Sequence, residues 1–128
     1  YQEALNSYRQ VVESSGGQRE VRLQALYKQA RTLDALGRTE EALATHQRVI
    51  DQYVEDGFRL SSDADIWFVR AVTDSAQRYE QRGEYRSAIR VYRFLAGTGL
   101  PQAAEAGRRI AELRDTHHVL MFQGDSDE

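Results

Sequence analysis

Three segments of this chain share one pattern: YQEALNSY at 1–8, GRTEEALATH at 37–46 and GEYRSAIRVY at 83–92. Each sets a small alanine (Ala4, Ala42, Ala88) four residues before a larger side chain (Tyr8, His46, Tyr92). Four residues is about one helical turn, so the alanine and its companion share a helix face. A repeat of this kind narrows the possible folds sharply. No single unit can bury its apolar face alone, so neighbouring units must stack. The alanines lie 38 and 46 residues apart, and this uneven spacing calls for long helices and one extended connection.

Periodicity fills in the units. Ala4, Leu5, Tyr8, Val11 and Val12 predict a helix over 1–14, ended by Ser14, Ser15, Gly16 and Gly17. Leu23, Leu26, Ala30 and Leu33 form the stripe of a second helix over 19–36, which Gly37 stops. A third helix over 39–53 carries Ala42, Leu43, His46, Val49, Ile50 and Tyr53 on its inner side, and a polar loop is expected at 55–62. Ser62 and Asp65 then resemble a capping box opening a fourth helix to 82, with Val69, Val72, Ala76 and Tyr79 inward. Gly83 turns the chain into a fifth helix over 85–96, and Gly97 and Gly99 break it. Pro101 is expected at the first position of a last helix ending near 116. Tight glycine turns between consecutive helices imply antiparallel helical hairpins.

With glycine turns at Gly37 and Gly83, an aromatic at Tyr85, the small alanines and the aromatics at Tyr8 and Tyr92, the chain resembles the tetratricopeptide repeat family. In that family the small residue lets two helices approach closely, and the turn glycine closes the hairpin. The resemblance implies an all-α, tetratricopeptide-like helical-hairpin solenoid over 1–116, with 117–128 as a C-terminal tail. Departures are visible. Thr39 stands where the aromatic of the second segment is expected, His46 replaces a bulky apolar group, and the spacing exceeds the usual repeat of about 34 residues. The chain opens inside a repeat and without methionine, so it reads as part of a longer protein.

Composition removes several classes of chemistry. Hydrophobic residues make up 41% and charged residues 29%, a globular balance rather than a disordered one. A single proline favours helices. With no cysteine there is no disulfide framework, thiolate metal site or cysteine nucleophile. No apolar run approaches the roughly 20 residues that a membrane-spanning helix needs. Neither a G-x-S-x-G elbow, an H-E-x-x-H pair nor a phosphate-cradling glycine loop occurs. His117 and His118 are adjacent, so on a helix they diverge by about 100°, and they are expected to be solvated. His46 is expected to be a partly buried, satisfied histidine. Glu40, Glu41, Asp63 and Asp65 sit at helix starts, where carboxylates offset the positive end of the macrodipole. No enzyme, cofactor or metal site is expected.

The remaining signals concern binding. In stacked hairpins the first helix of each pair lines the inner surface, and the resemblance implies that such positions bind an extended peptide or a partner's helix; this nominates Tyr27, Lys28 and Arg31 on the second helix and Arg70 and Gln77 on the fourth. Arg86, Arg90 and Arg93 fall on one side of the fifth helix, and no aspartate or glutamate occurs from 85 to 104. Guanidinium groups match carboxylates two at a time, so that stripe points to an acidic protein or peptide partner. Trp67 and Phe68 are expected in the core. The leading expectation is a non-enzymatic protein-interaction scaffold within a larger assembly. The alternatives are a helical-repeat nucleic-acid-binding module or an accessory domain of a larger enzyme. The net charge of −3 and the lack of a dense basic stripe argue against nucleic acid. Homo-oligomerisation stays open, because the ends of a stack can expose apolar surface.

Overall fold

A computed structural model of the chain describes residues 1–14, 19–56 and 62–117. They form six helices: α1 (Gln2–Ser14), α2 (Arg19–Ala35), α3 (Thr39–Asp56), α4 (Ser62–Gln81), α5 (Tyr85–Ala96) and α6 (Ala103–Thr116). No strand occurs among the described residues. The fold is all-α and built on tetratricopeptide-like helical hairpins. The expected glycine break after α1, most of the 55–62 loop and most of the tail lie outside the described residues.

Both hairpin turns are made the same way, and the glycines explain why. At the first, the Gly37 amide donates to Asp34 O (3.0 Å) and the Arg38 amide to Leu33 O (2.9 Å). At the second, Gly83 donates to Glu80 O (3.0 Å) and Glu84 to Tyr79 O (2.8 Å). These two crossed bonds are a Schellman cap, whose pivot residue must be left-handed. Gly37 (φ +79°) and Gly83 (φ +72°) are that pivot. The next carbonyls start the following helices, since Arg38 O accepts from Ala42 (3.0 Å) and Glu84 O from Ala88 (3.1 Å). The two turns thus repeat bond for bond at the spacing seen in the sequence.

The chain divides into two compact units, Tyr1–Ala71 and a second that begins at Val72, so the division falls inside α4. In the first unit α2 packs against both α1 and α3. Leu5, Leu33 and Ala42 form a buried cluster that Leu36 joins from the side. Ala42 is small enough to let leucines from two other helices meet over it. Phe68 is fully buried, and the Tyr53 ring stacks on it at 4.1 Å. In the second unit α5 packs on α6, and Ala88, Ile89, Val91 and Leu95 are buried. Of the repeat alanines, Ala42 (2% exposed) and Ala88 (0%) are enclosed, while Ala4 is half-buried.

Two element boundaries and the role of one helix-start carboxylate depart from expectation. The third helix continues to Asp56 instead of ending at 53. Gln52 Nε2 donates to Asp56 Oδ2 (2.7 Å), and Arg19 Nε pairs with Asp56 Oδ1 (3.3 Å). That buried carboxylate secures the last turn of α3 against the start of α2. Pro101 is not the first residue of α6. It lies in a turn before the N-cap Gln102, where a missing N–H is equally harmless. Asp65 does more than offset a helix dipole, for it accepts a hydrogen bond from the Tyr53 hydroxyl at 2.5 Å.

Candidate interaction cleft between α1 and α2

α2 has neighbours on two sides, and this determines which of its residues reach solvent. A helix with one packed face buries one stripe. Here the buried arc widens to include Ala25, Tyr27, Gln29 and Thr32 as well as the leucines. Tyr27, expected at a binding surface, is only 4% exposed. Its ring lies 5.7 Å from the rings of both His46 and Trp67. It is an interior residue, and the expectation of an accessible Tyr27 is corrected. His46 is likewise buried, at 4% exposure.

Lys28 and Arg31 escape that arc. Together with Tyr1, Tyr8, Thr32 and Ala35 they line an open cleft of about 260 Å³ between α1 and α2. The four α2 positions follow one face at steps of three, one and three residues, a stretch of about 10 Å along the axis. Tyr8 and Lys28 are half-buried, whereas Arg31 is exposed and Tyr1 is 76% exposed. Thr32 is occupied internally, its hydroxyl donating to Lys28 O at 2.9 Å.

Electrostatically the cleft is one-sided. Its lining holds two cations and no carboxylate. Among the described residues neither Lys28 nor Arg31 has an ion-pair partner. Several other arginines are engaged: Arg19 by Asp56, Arg38 by Glu41, Arg82 by Glu84, Arg108 by Glu105 and Arg109 by Glu80 and Glu112. A cleft with aromatic walls and two cations that have no ion-pair partner among the described residues is chemically suited to an anionic group attached to apolar matter.

The other nominated residues are dispersed. Arg70 is exposed, with its guanidinium carbon 5.3 Å from the centre of the Trp67 ring, a cation–π contact. Trp67 is half-buried and Phe68 fully so. Gln77, Arg90 and Arg93 are exposed, but Arg86 is half-buried, so the α5 stripe is less open than its spacing implies. Tyr1 and Tyr8 were not foreseen as cleft walls, because the repeat pattern treats Tyr8 as a packing residue. Their seven-residue separation, Tyr8 on α1 and Tyr1 just before it, was the available signal.

A second polar cluster is closed upon itself. The Tyr92 hydroxyl donates to Glu80 Oε2 (2.7 Å), Glu80 Oε1 pairs with Arg109, and Arg109 Nη1 reaches Glu112 Oε2 (2.8 Å). Burial, reinforced by the hydrogen bond to Glu80, holds the Tyr92 phenol well above its usual range. Tyr53 is raised in the same way by burial and by Asp65. Arg109 is raised by its hydrogen bonds to Glu80 and Glu112. These groups fasten helices together and leave little capacity for a ligand. His117, expected to be solvated, is half-buried, with its ring stacked 3.6 Å from that of Tyr85. Among the described residues no three potential metal ligands gather, and no helix is long and apolar enough to cross a membrane.

Residues 24–55, covering most of α2, the Gly37 turn and nearly all of α3, match the family model described as Tetratricopeptide repeat. No curated protein and no solved structure matches the chain.

Proposed function

Residues 24–55 match the tetratricopeptide repeat model; from that premise we propose that the chain is a non-enzymatic scaffold holding a partner peptide or helix within a larger assembly. Repeats of this family generally mediate protein–protein contacts and are generally non-catalytic. The observation that carries the reading is the α1–α2 cleft, with Lys28 and Arg31 facing two tyrosines. The polar clusters elsewhere are engaged with one another, which favours binding over catalysis. In this reading 1–116 acts as the repeat domain and 117–128 as its tail. Arg90 and Arg93 of α5 are a secondary surface for an acidic partner. Charge reversal at both that leaves partner capture unchanged removes them from the reading.

Site-specific photo-crosslinking tests the proposal. A photoreactive side chain at Ala35, on the cleft wall, should trap a polypeptide, and trapping should fall when Lys28 and Arg31 are both replaced by methionine. The same group at Ala44, exposed on α3, serves as the control. Equal trapping at both positions, or trapping indifferent to Lys28 and Arg31, contradicts the cleft's role.

A further inference from the structure

We propose that the α1–α2 cleft selects an acidic segment of a partner polypeptide, bound extended, in which two carboxylate side chains are separated by one residue and flanked by an apolar one. The inference rests on the interaction-scaffold reading and names the chemistry of its ligand.

The spacing of the two cations supplies the motif. Lys28 and Arg31 stand at i and i+3 on α2, which places their Cβ atoms about 5–6 Å apart. In an extended peptide, side chains at i and i+2 share a side and lie about 6.5–7 Å apart. Neighbouring residues point to opposite sides, so adjacent carboxylates fit less well. The lysine ammonium offers a compact charge and the arginine a planar fork, and each can take one carboxylate. About 10 Å of cleft matches roughly three extended residues. Beyond the charges the walls are Tyr8 and Tyr1, whose rings favour an apolar side chain over a third charge.

Charge complementarity also decides against the competing occupant. Tyrosines beside cations occur in sites for single-stranded nucleic acid as well. Such sites draw affinity from many phosphate contacts, each releasing a counterion. This cleft holds two cations, on a chain of net charge −3. Two contacts give little affinity for a phosphodiester backbone at physiological salt.

The experiment is fluorescence anisotropy on the full chain near physiological salt, with a labelled six-residue peptide containing Glu-Ser-Glu-Leu. Matched probes are its Gln-Ser-Gln-Leu counterpart and a single-stranded RNA hexamer. The acidic peptide should bind about tenfold more tightly than the glutamine peptide, as expected for two partly exposed charge pairs. Lys28→Met and Arg31→Met, which keep the apolar stems, should abolish that preference. Arg48→Met, on an exposed α3 arginine outside the cleft, should preserve it. Equal binding of the two peptides, tighter binding of the RNA, or an Arg48→Met effect as large as the cleft variants overturns the inference. If the acidic peptide fails while crosslinking at Ala35 still depends on Lys28 and Arg31, the ligand chemistry is wrong and the scaffold reading stands. If both fail, the scaffold reading falls with it.

Discussion

Tyr92 occupies the repeat position of Tyr8 and His46, yet its work is done by the hydroxyl as much as by the ring. The phenol donates to Glu80, whose other oxygen holds Arg109. Removing the hydroxyl with Tyr92→Phe withdraws a hydrogen bond to a charged acceptor, worth about 1.5–3 kcal/mol. Urea denaturation should show a lower midpoint with an unchanged slope. Both Tyr92 and Tyr53 have phenols raised above the ordinary tyrosine value of about 10, because burial and an adjacent carboxylate penalise the phenolate. A raised folded value favours the protonated form in the fold. That contribution is complete below pH 10 and is lost as pH climbs past 10 toward the folded values. Alkaline titration at 295 nm should therefore show a late phenolate component that diminishes in Tyr53→Phe and Tyr92→Phe. Titration of all tyrosines together near pH 10 would contradict it.

The hairpin turns are where sequence and structure agree most closely. Glycine at 37 and 83 was legible because a left-handed pivot is costly for any residue with a Cβ. A Cβ built on either glycine meets nothing within 4 Å, so the penalty for alanine is conformational rather than steric. Gly37→Ala and Gly83→Ala should each cost about 1–2 kcal/mol, with asparagine milder, as chemical denaturation can read. Other features were hidden for equally physical reasons. Tyr27 lies off the apolar stripe of its own helix, but α2 packs against both α1 and α3, which widens its buried arc beyond any single stripe. The end of α3 depends on Arg19, 37 residues away in sequence, reaching Asp56. The cleft required knowing that α1 packs beside α2, although Lys28 and Arg31 were visible on the sequence as the polar side of that helix.

The chain as a whole divides after Ala71, within α4, and stability should follow that division. Among the described residues Phe68 is the largest fully buried side chain, and it belongs to the first unit. Phe68→Ala should cost about 3–5 kcal/mol, a large share of the 5–15 kcal/mol typical of a folded domain. Hydrogen exchange should then speed up chiefly in amides up to residue 71, with smaller change from Val72 onward. Uniform acceleration along the chain would mean that the two units unfold as one. The most direct test of the proposed role is amide chemical-shift mapping of the full chain titrated with a bound partner peptide. The cleft account predicts that the largest shifts fall at 1–8 and 28–35. Shifts spread evenly over the helices, or centred elsewhere with both stretches unmoved, would contradict it.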